Sequence, residues 1–252
     1  MPKYSFKLVV EYDGTDYAGW QIQPNKRTIQ SELENALSKL FQEEISVTGA
    51  GRTDAGVHAK EQVVNFTSTK NRDIKSIIYG VNSLLPGSIS IISAQPIDEK
   101  FNARFDAIRR HYLYQITRSK SALNSRFSWC VQENLNISEM QQGSRLLIGE
   151  HDFQSFCSTQ AEVNHYLCTV LEVYWRYTMP DILTFYICAN RFLHKMVRIL
   201  VGTMVEVGKG RFSVEDVKIM LIQKDRKVAG ITAPAKGLCL IKIDYDRKIL
   251  EV

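Results

Sequence analysis

The 252-residue chain is 44% hydrophobic and 23% charged, enough apolar material for one large domain or two small ones with a sizeable core. Lys and Arg number 32 against 27 Asp and Glu, a net charge of +5 that permits a polyanionic partner without requiring one. The opening "MPKYSFKLVVEYDG" lacks signal-peptide architecture, no apolar run is long enough to span a bilayer, and the five cysteines (130, 157, 168, 188 and 239) form no CxxC pair, so the chain reads as cytoplasmic with reduced thiols.

In chain order, "KYSFKLVVEYDG" alternates as a strand does. "TIQSELENALSKLF" places Ile29, Leu33, Leu37 and Leu40 on one helical face, with Thr28 as N-cap. "EISVTGA" reads as a strand and leads into a glycine loop. "QVVNFTST" is the next strand, "DIKSIIYGVNSLL" a helix capped by Asp73 and closed before Pro86, and "SISIISAQPI" a further strand. The order β-α-β-β-α-β is the split ferredoxin-like pattern.

The second half runs through a similar order. "FDAIRRHYLYQITRS" is a long strand, and residues 138–149 read as a helix opened by a capping box of Ser138 and Gln141. "LCTVLEVYWRYT" and "ILTFYICAN" form a hairpin around Met179-Pro180-Asp181. "RFLHKMVRILVGTMVEVG" and "SVEDVKIMLIQ" are helices, the latter capped by Ser213, and "LCLIKIDYD" is the last strand. The expected architecture is α+β: two ferredoxin-like halves, residues 1–100 and 101–252, joined around a mixed, mainly antiparallel sheet with the active-site cleft between them.

Several chemistries are set aside. "GTMVEVGKG" has the wrong glycine spacing for a phosphate loop, and no Ser or Thr follows Lys209. GxGxxG, HExxH and GxSxG are absent. His151, Cys157, His165 and Cys168 are ligand types, but their spacing fits no common zinc pattern. No cofactor and no metal are expected.

Three segments stand out. In "GAGRTDAGVHA" (49–59), Gly51 and Gly56 flank Asp54, with Arg52 two residues away and His58 beyond. Such a stretch fits a solvated turn, or a nucleophile or base kept ionised beside positive charge. In "FNARFDAIRRHYLYQI" (101–116), Arg104, Arg109, Arg110 and His111 alternate with aromatics. That fits an amphipathic strand, or a surface that holds phosphates and stacks on bases. In "RFLHKMVRILVGTMVEVG", Arg198 sits among apolar residues covering nearly every face, so its charge needs an ion-pair partner or a ligand; His194 is four residues away.

Together with "EYDGTDYAGWQIQ" (11–23), "GVNSLLP" (80–86) and "GEHDFQSF" (149–156), the blocks "GRTDAGVHA", "FNARF…RRHYLY" and "HKMVR…VG" resemble, in order and over nearly the whole chain, the tRNA pseudouridine synthase A family. The resemblance implies an isomerase. It breaks the N1–C1′ bond of a uridine in tRNA, turns the base and joins C5 to C1′, with no cofactor or metal. Asp54 is implied as the catalytic nucleophile, attacking C1′, acting through a glycal, or adding to C6. Tyr112 is implied to stack on the flipped base, Arg198 to pair with the catalytic aspartate, and Arg52 to place the RNA. His58, Arg104, Arg109 and Arg110 are expected to contact substrate. The implied substrate is the anticodon stem-loop of tRNA at uridines 38, 39 and 40, and the implied assembly is a homodimer with no membrane partner. The same chemistry on a different RNA, and a non-catalytic RNA-binding protein of this fold, are the alternatives.

The sequence departs from the family pattern at three places. Position 111 is His where Lys or Arg is usual, position 61 is Glu where Gly is usual, and Cys168 stands where an Arg often precedes the Thr. These changes make RNA-facing positions less positive, which bears on affinity and on the choice among uridines.

Overall fold

A computed structural model describes residues 3–159 and 164–246 of the chain. It is α+β, and it divides into two compact units. One comprises the residues up to Ile108 with those from Leu240 onward; the other is Arg109–Cys239.

In the first unit, β1 (Tyr4–Tyr12) buries Phe6, Leu8, Val10 and Tyr12, every second residue, as a strand with one packed face must. α1 (Ile29–Phe41) starts where expected: Thr28 accepts the Ser31 amide, and the Ser31 hydroxyl returns a bond to the Thr28 backbone. β2 is only Thr48–Gly49, shorter than "EISVTGA" suggests. The amides of Ile45 and Val47 are taken by Ser38 Oγ (2.9 Å) and Glu34 Oε1 (2.9 Å) of α1, which leaves no ladder bond for them. β3 (His58–Ser68), α2 (Ile74–Leu84), capped by Asp73, and β4 (Ile89–Pro96) follow. β1 pairs antiparallel with both β3 and β4, and β2 pairs antiparallel with β3. The resulting order, β4–β1–β3 with β2 on the far edge of β3, is that of a split β-α-β fold. Phe6, Phe41 and Phe66 meet in its core, the Phe6 and Phe66 rings stacked at 5.3 Å.

In the second unit, β5 (Ala107–Thr117) is joined in parallel by the two-residue β6 (Trp129–Cys130). α3 covers Ile137–Arg145, starting earlier and ending sooner than its sequence pattern suggests. Asn136, not Ser138, is the cap, accepting from the Glu139 amide at 3.3 Å. Residues 146–148 leave the helix in a turn, and Gly149, expected as its last residue, begins β7 (Gly149–Asp152). β8 (Leu167–Met179) and β9 (Ile182–Ala189) form the expected hairpin, and the order β5–β9–β8–β7 is antiparallel throughout. Trp175 of β8 donates its indole N–H to Ser144 Oγ (2.9 Å) and its amide to Gln141 Oε1 (2.8 Å), which docks α3 on the sheet.

α4 (Met196–Gly208) begins five residues later than expected, behind Lys195 at φ +62°. His194 therefore precedes the helix and does not share a helical face with Arg198. α5 (Val214–Gln223) is capped by Ser213 as expected, and β10 (Leu238–Tyr245) closes the described chain. From Leu240 onward β10 belongs to the first unit, beside β3.

Candidate active site

In the first unit the glycine loop runs between β2 and β3 and is fastened from several directions. Ala50 N–H donates to Val63 O (2.8 Å) and Gln62 Nε2 donates to Gly51 O (2.8 Å). Thr53, itself buried, shares a 2.8 Å hydrogen bond between its hydroxyl and Tyr12 OH, while its carbonyl accepts from Trp20 N–H at 3.0 Å. Asp54 opens a four-residue turn in which Val57 N–H donates to Asp54 O (3.1 Å). Gly56 occupies the third place of that turn at φ +77°, the left-handed conformation that a type II turn reserves for glycine. The Asp54 side chain is half-buried, between an exposed Ala55 and the buried Thr53.

The segment after β1 braces the loop from beneath. A Cβ at Gly14 would lie 1.9 Å from Val57 O, so only glycine lets the two backbones meet. Gly14 N–H donates to His58 Nδ1 (3.1 Å), and Asp13 Oδ1 lies 3.1 Å from the same nitrogen. His58 is 4% exposed. Arg52, by contrast, is exposed at the loop surface. Arg104 is exposed too, its guanidinium 5.6 Å from the ring of Phe105, which is itself 79% exposed.

In the second unit, β5 carries Arg109, Arg110 and Tyr112. Arg109 is exposed; Arg110 is half-buried and donates from Nη1 to Asn190 O at 2.8 Å. Tyr112 is 8% exposed and meets Phe192 edge-on, with ring centroids 5.1 Å apart. Arg198 lies in the first turn of α4 between the buried Val197 and Ile199. Its Nε donates to Ala233 O (2.8 Å), and Ala233 N–H donates back to Arg198 O (3.0 Å). Tyr114 OH secures the next residue by donating to Pro234 O at 2.7 Å. Burial raises the Tyr114 phenol far above its ordinary range, with the positive charge of Arg198 pulling the other way.

Sequence reasoning missed the parts that hold these groups: Tyr12 and Gln62 in the first unit, Tyr114 and the 233–234 segment in the second. Two of the three departures change meaning. Cys168 is 1% exposed, so it does not face RNA, and burial pushes its thiol up to about 11. His111 is half-buried, with Nδ1 2.7 Å from Tyr186 OH and Nε2 3.8 Å from Cys188 Sγ. Only Glu61 is exposed. Among the described residues no three His, Cys, Asp or Glu side chains gather as a metal site would need, and no helix is long and apolar enough to cross a membrane.

The sequence pattern of the tRNA pseudouridine synthase family (PseudoU_synth_1) matches residues 8–106 and 144–246. Those stretches contain Asp54 and Arg198, while Tyr112 falls between them. The chain is 40% identical over 241 residues to "tRNA pseudouridine synthase A" of an Exiguobacterium species, covering 96% of this chain and 98% of that one. It is 41% identical over 244 residues to the protein of that name in Bacillus licheniformis, and 39% over 244 residues to that of Bacillus subtilis; each match covers 95% of this chain and 98% of the other. With matches of that length and a glycine loop built around a half-buried aspartate, the chain belongs to the tRNA pseudouridine synthase family, whose members are isomerases.

Proposed function

We propose that this chain converts uridine to pseudouridine in the anticodon stem-loop of tRNA, at positions 38, 39 and 40, with Asp54 as the nucleophile. The observation that carries the reading is the loop itself. A half-buried carboxylate stands at the head of a glycine turn, and backbone and side-chain bonds on both sides hold that turn in place. A nucleophile that must reach one atom of a nucleotide needs this fixed aim.

Tyr112 stacks on the target base once that base has left its stem. Its ring is already fixed by Phe192, so little side-chain freedom is lost on stacking. Arg198 supplies the positive charge that the reacting carboxylate needs, held rigid by its exchange of bonds with Ala233. The exposed Arg52, Arg104 and Arg109 are the phosphate contacts, joined by the half-buried Arg110. His58, buried against Gly14 and Asp13, braces the loop from below. The protein works as a homodimer in the cytoplasm.

The test is carbodiimide–primer-extension mapping of an unmodified tRNA before and after incubation with the protein. New stops at 38, 39 or 40 are expected. Stops elsewhere would overturn the site assignment, and none at all would overturn the activity.

A further inference from the structure

We infer that Gln62 is a positioning residue for the reacting aspartate, gripping the glycine loop through one end of its amide. This rests on the reading of Asp54 as the reacting group.

β3 enters its ladder with β1 through a bulge. Tyr12 faces Ala59 and Val10 faces Gln62, so Lys60 and Glu61 together oppose the single residue Glu11. Lys60 and Glu61 are both exposed; Gln62, the next residue, is 0% exposed. The bulge thus places an uncharged polar side chain at an inward position directly behind the loop.

The amide is only half used. Nε2 donates to Gly51 O at 2.8 Å, whereas Oε1 has no hydrogen-bond partner among the described residues. Turning the amide over would set Oε1 against the Gly51 carbonyl, acceptor against acceptor, so that carbonyl fixes the orientation. A Met or Leu would fill the same space without a buried orphan oxygen. What the glutamine gains over them is the bond to Gly51. Gly51 is the place in the loop most in need of it: a Cβ built there would meet nothing within 4 Å, and glycine has the widest backbone freedom. The chain is fastened before it at Ala50 and after it at Thr53. Gln62 removes the freedom that remains between those two points, three residues before Asp54.

A residue that only fills the core and one that aims the loop predict different rates for Gln62→Met. The methionine matches the glutamine in length and discards the orphan oxygen. Its thermal midpoint should be unchanged or higher, and its affinity for unmodified tRNA unchanged. The single-turnover rate should fall by about tenfold or more, the scale of a slightly misplaced reacting group. The parent rate, at whatever midpoint, overturns the inference.

Gln62→Glu gives an independent readout. A neutral carboxyl there can donate to Gly51 O as the amide does, whereas a carboxylate cannot, and burial keeps a carboxyl neutral to higher pH. Its rate relative to the parent should therefore recover as pH falls; a ratio that does not move with pH overturns the inference. Asp54→Asn, run alongside, separates the two readings. If it turns over tRNA, the reading of Asp54 is wrong whatever Gln62 does. If it is inactive while Gln62→Met keeps the parent rate, only the role of Gln62 fails.

Discussion

The glycine loop of the first unit and the start of α4 in the second both hold a charged side chain still, by different means. Around Asp54 the frame is almost wholly polar: Tyr12 to Thr53, Trp20 to Thr53, Gln62 to Gly51, and Gly14 to His58. Around Arg198 the neighbours in the chain are apolar, with Val197, Ile199, Leu200 and Val201 buried, and Ala233 makes a two-way exchange with it. A loop has no periodic face to pack, so directional bonds must fix it, and those made by a side chain are each removable by one substitution. A helix inherits its direction from its own ladder and needs only one or two bonds to fix the side chain. The loop should therefore be fragile in function and the helix start robust in structure.

The hardest test of that contrast is at the charged groups themselves. Asp54→Asn keeps the size and the backbone turn but removes the nucleophile. Pseudouridine formation should vanish while tRNA binding stays within a few-fold, read by tritium release from C5-labelled tRNA and by filter binding. Measurable turnover by a clean preparation would show that another group reacts. Arg198→Met keeps bulk on α4 but takes the Nε donor from Ala233 O, so the chain should still fold, at a cost of about 1–3 kcal/mol. Activity should fall by about a hundredfold or more, the scale of losing a positioned electrostatic group. Arg198→Lys should recover part of that loss, since an ammonium cannot reproduce the planar fork of donors. A methionine variant as fast as the parent would make Arg198 a structural residue alone.

The same contrast explains what could be read in advance. Elements that announce themselves by period and cap were legible: α1 from Thr28, α2 from Asp73, α5 from Ser213 and the β8–β9 hairpin. Where long-range bonds compete with local pattern, the reading slipped. "EISVTGA" alternates like a strand, yet α1 takes the amides of Ile45 and Val47. The start of α4 looked helical from Arg191 because Phe192 and Leu193 continue its apolar character, but the chain turns at Lys195 with a positive φ that no local signal marks. The chemistry-bearing residues stood out because charge is rare among glycine or apolar neighbours. Their supports, Gln62 and Tyr114, did not, since a Tyr or Gln in a strand looks ordinary until its partner, 11 or 120 residues away, is known.

Tyr114→Phe probes the second unit's frame. It removes the bond to Pro234 O and leaves that carbonyl short of a donor, which should cost about 1–3 kcal/mol of stability. Activity should fall less than in Arg198→Met, because the Arg198–Ala233 exchange remains. The pH dependence gives a second reading. A phenol whose folded pKa is raised contributes stability that is complete below its unfolded value of about 10 and is lost as pH rises above it. Tyr114→Phe should flatten the alkaline decline of the thermal midpoint, with the remainder carried by the Tyr186 phenol and the Cys168 and Cys157 thiols, which burial also raises. An unchanged alkaline decline would mean that Tyr114 is not its source.

The smallest effect is expected at Glu61, the one departure from the family pattern that faces solvent. It stands in the β3 bulge beside the loop and adds negative charge near where a polyanion should lie. Glu61→Gln removes the charge without the backbone freedom that glycine would bring, so it is the cleaner variant. It should tighten tRNA binding by roughly two- to threefold at low salt, and the gain should shrink as salt shortens the screening length. His111→Arg should give no such gain, because the ring it replaces is engaged with Tyr186 and Cys188. Affinity measured for both variants across a salt series separates the positions. A salt-dependent gain for Glu61→Gln alone would put the β3 bulge on the RNA-facing side of the loop. A gain for His111→Arg alone would move the RNA path to the outer face of β5 and leave Glu61 as ordinary surface charge.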